Sequence, residues 1–390
     1  LISTALDLLT VQTLPAEAMV STEDFWSDVE CPSFMQSPRW LANAWTQYHR
    51  FQPGVQPNAC SGLLVLDGEK RPLGCSFWFR QSGRAVRWWR LVGSGAICSD
   101  YAHIPSRREW DQQVGVATAN WFGQQPRRSF DFPNAIEVEG HLADSPQWQA
   151  FFETLRDQGW TSDSTEIDGT WRLTLPESWK SFESLLGKTH RRKARRAMQL
   201  LQEGVVEYLV CRTPAEINQH WPSFIDLHQK RRKLLGQTGC FADPRFEQFL
   251  KTTTLALAEQ DEAWLSLVLH DGTAIAALLI FDWQGTACLY QSGIDTDRLD
   301  MEPGHVVNAA TIHACIQARR THFDFLRGDE RYKSNWRAER SRLLRTRLYP
   351  PGAAGRQLAA AYKLRRSLSN WMKSRGPECH SQYENNSDAS

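Results

Sequence analysis

Apolar positions along the 390-residue chain recur with two different periods, and the changes of period mark out its elements. Residues 62–67 and 73–79 alternate about Asp67-Gly68, and residues 263–269 and 274–281 alternate about Asp271-Gly272. An Asp-Gly pair between two such runs predicts a β-hairpin. A third strand follows each hairpin, at 86–92 and 286–294. The helical period then predicts 107–121 in the first half and 305–319 in the second, each leading to a further strand, at 130–138 and from His322. Other helices are predicted at 38–49, 148–158, 224–235 and 244–258, and a strand at 170–175. The first thirty residues suggest only a lead-in strand and helix. Two hairpins, each followed by a third strand, a helix and another strand, read as duplication of one α/β unit, although the halves share little sequence.

Composition narrows the class. With 41% hydrophobic and 23% charged residues the chain is ordinary globular protein, long enough for two domains with substantial cores. A net charge of +1 argues against a protein-wide attraction to nucleic acid or acidic lipid, so any electrostatic recognition is local. The 17 tryptophans serve the core or line grooves, where flat rings also suit sugar stacking. Nine cysteines without CxxC spacing and 11 histidines without HExxH predict neither a metal site nor a disulfide framework, which fits a reducing cytoplasm. No charged-then-apolar leader opens the sequence, and no run of about 18 apolar residues interrupts it, so a cytoplasmic product without membrane insertion is expected.

The chemistry concentrates where the strand Phe323-Asp324-Phe325-Leu326 breaks at Gly328 into Asp329, Glu330 and Lys333 and runs on to Trp336. A glycine there releases the backbone and a rigid strand delivers carboxylates to a cleft. A solvated charged turn is the plainer alternative. This segment resembles the signature of the CelD-like acetyltransferases, a branch of the GNAT superfamily first associated with bacterial cellulose biosynthesis. Further strings fit that family in the same order: Phe34 to Trp40, Leu91 to Gly95 with Ser99-Asp100-Tyr101, Leu175 to Trp179, Lys188 to Arg196, and Leu227 to Arg232 with Gly236. Coverage runs from about residue 34 to 350. The resemblance implies an α/β (α+β) fold of tandem GNAT-like modules, each a mixed, largely antiparallel sheet flanked by helices, as in the related Fem peptidyltransferases. On that plan residues 1–175 form the first module and 176–350 the second, with a basic helix and a disordered tail over 351–390.

The resemblance also implies a site. The strand through Tyr290, Gln291 and Gly293 splays from its neighbour so that backbone N–H groups face a thioester, with Gly293 suited to that distortion. The turn into the next helix places Gly304, His305 and Val306 where free N–H groups hold a pyrophosphate, although only one glycine of the usual phosphate loop is present. Gly93-Ser94-Gly95, a fragment of a dinucleotide fingerprint, reads as a strand-end turn. Asp329, Glu330 and His228 are rival general bases, Asp329 being the first choice. Arg231, Arg327, Lys333 and Trp336 border the acceptor, with Arg327 and Lys333 either neutralising acceptor or phosphate charge or pairing with the carboxylates. Residues 181–204 predict one helix with a strongly basic face, either solvated or an anion site. The expected activity is acyl transfer from acyl-CoA, without a metal, to an amine or hydroxyl of a sugar or cell-envelope precursor. The rivals are a Fem-like transferase using aminoacyl-tRNA and a non-catalytic accessory protein of polysaccharide synthesis. Cys288 and Cys315 lie in apolar runs that suppress nucleophilicity, so no covalent cysteine mechanism is expected.

Overall fold

Both Asp-Gly pairs turn the chain as predicted. Asp271 (φ 50°) and Gly272 (φ 73°) take the paired left-handed conformations of a tight hairpin, and Asp67 ties a slightly longer turn by accepting from the Glu69 and Arg71 amides at 2.9 and 2.8 Å. The computed structural model describes residues 9–19, 29–31, 33–83, 86–126, 134–234 and 236–375. The N-terminal half comprises strands β1 (Thr10–Pro15), β2 (Val29–Glu30), β3 (Val55–Leu66), β4 (Pro72–Ser82), β5 (Arg87–Leu91), β6 (Ser106–Arg107), β7 (Ala135–Leu142) and β8 (Thr161–Thr174). Its helices are α1 (Pro38–Asn43), α2 (Asp111–Gln124) and α3 (Pro146–Asp157). The C-terminal half comprises helices α4 (Trp179–Leu185), α5 (Lys188–Gln202), α6 (Pro214–Leu234), α7 (Pro244–Ala258), α8 (Pro303–Gln317), α9 (Tyr332–Asn335) and α10 (Ala353–Arg375). Its strands are β9 (Glu207–Cys211), β10 (Ala263–His270), β11 (Thr273–Trp283), β12 (Thr286–Ile294), β13 (His322–Arg327) and β14 (Glu339–Tyr349).

One sheet runs through the molecule in the order β1-β3-β4-β5-β7-β14-β8-β13-β12-β11-β10-β9, with β2 and β6 off this path. Pairing is antiparallel except between β5 and β7 and between β12 and β13. Each half therefore follows one plan: a three-strand meander, a helix, a parallel strand, a helix and a closing strand. The closing strands are exchanged. β8, from the N-terminal half, lies against β13, while β14 lies against β7, and the two pair with each other from Thr161↔Tyr349 to Glu339↔Arg172.

Several elements differ from the sequence expectations. The predicted strand at 170–175 is only the end of β8, whose first half is polar and half-exposed and is held by its ladder with β14 rather than by an apolar face. β9 and β14 were not predicted. β14 reads Glu-Arg-Ser-Arg-Leu-Leu-Arg-Thr-Arg-Leu-Tyr, and its arginines find carboxylates on neighbouring strands. The basic segment expected as one helix is two, because Leu186 and Gly187 are extended. Helix α6 begins ten residues before its predicted start, where the Thr213 hydroxyl and Glu216 carboxylate bond each other's backbone amides as a capping box, and it runs on through Pro222. The strand expected from residue 130 begins at Ala135; residues 127–133, the lead-in residues 1–8 and 20–28, and the tail from 376 lie outside the described residues.

The tryptophans are mainly structural: Trp40, Trp78, Trp89, Trp148, Trp221 and Trp336 are among the largest fully buried side chains. The buried indole N–H of Trp40 donates to Ser99 Oγ (3.0 Å) and that of Trp148 to the Ala102 carbonyl (2.6 Å), whereas Trp221 Nε1 is buried without a partner. No helix among the described residues is long and apolar enough to cross a membrane.

Gly293 has a different purpose from the one expected. Helix α6 crosses β12 so closely that a Cβ at Gly293 would collide with the His228 amide nitrogen and sit 2.7 Å from the Leu227 carbonyl carbon. Gly293→Val is therefore expected to destabilise the protein by about 1–3 kcal/mol through overpacking against backbone, measured as a lowered urea midpoint. An unchanged midpoint would mean that α6 can move off the sheet freely.

Candidate active site

β12 and β13 pair only from Thr286↔His322 to Cys288↔Asp324 and then part. Two local features cause the parting. In β12, the register against β11 jumps from Ile280↔Leu289 to Leu279↔Gln291, so Tyr290 is an extra, bulged residue that bends the strand. In β13, Leu326 is left-handed (φ 54°), and its amide donates to Asp324 Oδ1 at 2.8 Å, a side-chain bond that competes with the ladder. Asp324 is fully buried. Its Oδ2 accepts from Tyr101 Oη (2.5 Å) and Arg172 Nε (2.9 Å), both from the N-terminal half.

The loop after β5 enters this parting. Tyr290 Oη donates to the Ile97 carbonyl at 2.7 Å, and Asp100 accepts from the Arg327 amide (2.7 Å) and Arg327 Nε (2.6 Å). Arg327 Nη1 also lies 3.3 Å from Glu139 Oε1. Of the two roles open to Arg327, the structure gives it the ion pair, with carboxylates of the other half.

The turn beyond β13 is organised by Lys333, which is 2% exposed. Its Nζ donates to the carbonyls of Leu326 (3.2 Å), Arg327 (2.8 Å) and Gly328 (2.9 Å), which uses all three ammonium hydrogens. Lys333 thus closes a turn instead of meeting a substrate. Gly328 (φ 121°) is required here, because a Cβ would collide with Glu330 Oε2 and sit 2.9 Å from Lys333 Nζ.

The three candidate bases fare differently. Asp329 is held by Arg340 through two bonds of 2.7 Å and by Trp171 Nε1 at 3.2 Å, and the Arg340 bonds keep its carboxyl below the usual range. Both of its oxygens are thereby committed to donors. His228 is buried, which with the Arg232 charge lowers its pKa to about 4; its Nε2 lies 3.7 Å from Cys240 Sγ. Glu330 Oε2 is buried and ion-paired with Lys333 Nζ at 3.0 Å, an ammonium that also serves three carbonyls. Burial raises the Glu330 pKa, and the Lys333 charge, hydrogen bonds to the carboxylate and the Arg231 charge together bring it below its usual value. Arg231 is partly buried, makes no ion pair among the described residues, and acts electrostatically on Glu330 and Tyr332. Trp336 is interior, stacked on His305 (4.5 Å between centroids, 25°) and Phe182 (6.3 Å, 9°), and is no groove wall.

The start of α8 corrects another expectation. Pro303 has no N–H, and the amides of His305 and Val306 both donate to the Glu302 carbonyl, at 2.8 and 3.1 Å, so only the Gly304 amide is left for an anion. Four carboxylates precede it, Asp295, Asp297, Asp300 and Glu302. Lys230 pairs with Asp295 and Asp297, and Lys193 with Glu302 at 2.5 Å, so two lysines offset two of the four negative charges. His305 Nε2 is buried without a partner, and burial lowers that ring to about 4. Burial also pushes the Cys315 thiol up to about 12 and the Cys288 thiol well above its usual value.

Sequence reading missed Asp324, Arg172 and Glu139 as organisers of this region. A charged residue within the apolar run of β13 and another at the end of β8 were the available signals, and Asp100 and Tyr101 had been noted only as part of a resemblance.

Burial brings the imidazoles of His49, His141, His228 and His305 to about 4 in the folded chain, against 6.5 when unperturbed. Between those values the unfolded chain binds more protons, so stability present above pH 6.5 is lost as pH falls toward 4. Urea unfolding across this range is expected to give a falling free energy, with a shallower slope in His228→Gln. A slope of the opposite sign would contradict the buried, neutral histidines.

Residues 188–334 match the acetyltransferase (GNAT) domain family. No curated protein matches the sequence. Among solved structures, the chain is similar to FemX, with a TM-score of 0.60 at 10% identity over 86% of this chain and 96% of that one. It is also similar to a conserved protein of unknown function from Bacteroides thetaiotaomicron VPI-5482, with a TM-score of 0.52 at 12% identity over 88% of this chain and 100% of that one. At such identities the likeness concerns the fold alone. The chain thus carries a GNAT acetyltransferase domain over residues 188–334, set within a longer fold like that of FemX.

Proposed function

We propose that the protein transfers an acyl group from acyl-CoA to an amine or hydroxyl of a sugar or cell-envelope precursor. The observation that carries this reading is the parting of a bulged β12 from β13 directly before α8, inside the segment that matches the acetyltransferase domain. Strands that part leave backbone groups of Tyr290 and Gln291 free of a ladder partner on that side, as an oxyanion developing from a thioester carbonyl requires. The acceptor nucleophile attacks that carbonyl, the C–S bond breaks, and CoA leaves as the thiol once a proton reaches sulfur. Glu330 is the base in this scheme, since its carboxylate meets the single Lys333 ammonium whereas both oxygens of Asp329 are held by Arg340. Arg231 supplies a neighbouring positive charge for the acceptor, and Gly304 the amide nearest a donor phosphate. The sugar or envelope acceptor rests on the resemblance to CelD-like acetyltransferases.

A second donor, aminoacyl-tRNA, is favoured by one set of observations. The α8 start offers a single free amide amid carboxylates, whereas Lys188, Arg192 and Arg196 recur every four residues on the exposed face of α5 with no ion-pair partner among the described residues. Calorimetry separates the two. Acetyl-CoA at roughly 100 times its dissociation constant is expected to stabilise the fold by about 2.7 kcal/mol, and RNA affinity at physiological salt is expected to be negligible. Absence of acetyl-CoA binding together with salt-dependent RNA binding, flattened in a triple alanine variant of the α5 cations, would select the second donor.

The choice of base has its own test. Glu330→Gln is expected to lower kcat by about 10² to 10⁴ while leaving acetyl-CoA affinity unchanged. Asp329→Asn is expected to retain turnover within about tenfold where it folds, because its carboxylate serves Arg340. The reverse ranking in folded variants would return Asp329 to the role of base.

A further inference from the structure

The N-terminal half repeats the parting of parallel strands but leaves it open. β5 and β7 pair from Trp88↔Ala135 to Arg90↔Glu137, and a cavity of about 210 Å³ is lined by side chains of β4, β5, β7 and β14 together with Ser94 and Gly95 of the loop after β5. Its lining carries three guanidinium groups, Arg90, Arg345 and Arg347, and two carboxylates, Glu137 and Glu139. Glu137 is paired by Arg90 (3.0 Å) and Arg347 (2.7 Å); Glu139 is paired by Arg345 (2.8 Å) and, from outside the cavity, by Arg327. Since Arg327 is balanced by Asp100, the lining retains one positive charge. Both carboxylate side chains are only 5–6% exposed, so their charge is fixed in the wall.

Arg90 is held both by Gln81, through Nη1, and by Glu137, whereas Arg345 and Arg347 keep donors in reserve. Arg347 bonds Glu137 through Nε alone, with its guanidinium set against Trp88 and Tyr362 at 5.5 Å, and its Nη groups make no hydrogen bond among the described residues. Arg345 uses Nε and Nη2 on Glu139 and keeps Nη1. Preoriented guanidinium donors with a net charge of +1 fit a single carboxylate or phosphate group, which a guanidinium fork recognises in its plane. An open groove of about 580 Å³ adjoins the cavity through Gln81 and Arg90 and has Trp88 on its wall, giving space for a neutral body beyond the anionic group.

We infer that this cavity is a binding site for a small molecule bearing one carboxylate or phosphate group on a neutral, sugar-sized body. The site is separate from the parting of β12 and β13, so the inference stands apart from the identity of the acyl donor. The loop that follows β5 is committed to the C-terminal half through Ile97 and Asp100, and its Ser94 and Gly95, at the start of a single 3-10 turn, line the cavity.

Calorimetric titration of the full chain with glucuronate and with inorganic phosphate, against glucose as the neutral control, tests it. Saturable, salt-sensitive binding of the anions and none of glucose is expected. Phosphate and glucuronate binding together would point to the charge as the requirement; glucuronate alone would point to a carboxylate on a sugar. Arg347→Gln is expected to weaken binding by about tenfold or more, whereas Glu139→Gln, which raises the lining charge to +2, is expected to tighten it. A network with a purely structural role predicts no tightening. Thermal melts check that both variants fold; if Glu139→Gln does not, a glucuronate-soaked crystal decides, with the carboxylate expected at Arg345 and Arg347. No heat above the glucose control at millimolar anion, affinities indifferent to both substitutions, or density elsewhere would overturn the assignment.

Discussion

The buried carboxylate of Asp324 is the point on which the candidate active site turns. It sits at the last paired residue of β13 and holds the Leu326 amide in a left-handed turn, which takes the strand away from β12. A buried carboxylate without donors would be costly. Three donors meet it, and two of them, Tyr101 and Arg172, come from the N-terminal half. The parting is therefore not a property of the acetyltransferase segment alone; it requires β8 and the loop after β5 to be in place.

The exchange of closing strands supplies that requirement. β8 carries Arg172 to Asp324 of β13, and β14 carries Arg345 to Glu139 and Arg347 to Glu137 of β7, so each half completes the sheet and ion pairs of the other. Arg327 pairs with Asp100 and Glu139, which connects the region where β12 and β13 part with the charged cavity beside β5 and β7. Buried ion pairs of this kind add little net stability compared with apolar packing, but removal of one partner leaves an uncompensated charge. Their effect is to set how the two halves register against each other.

Within the turn after β13, commitment of donors decides chemical availability. Lys333 directs three hydrogens to three successive carbonyls, Asp329 receives Arg340 and Trp171, and Glu330 pairs with Lys333. Three neighbouring ionisable groups thereby separate into a turn clamp, a carboxylate held by Arg340 and a carboxylate that meets only the Lys333 ammonium. The same reasoning narrows the start of α8 to a single amide, because a proline and the Glu302 carbonyl dispose of the others.

Local signals in the chain were sufficient for the hairpins, the helices α3 and α7, the apolar strands β10 to β13 and the duplicated order of elements, since each rests on periodicity or on turn residues with left-handed backbone. The segment around Gly328 was also legible as a concentration of chemistry. β14 and the front of β8 were not, because their polar faces are stabilised by each other's backbone and by carboxylates more than a hundred residues away, and no local period records that. The roles of Asp329, Glu330, Lys333 and Arg327 were likewise beyond the sequence. Composition places donors and acceptors near one another, but which hydrogen meets which oxygen depends on where the turn, the exchanged strands and the inserted loop set them in space.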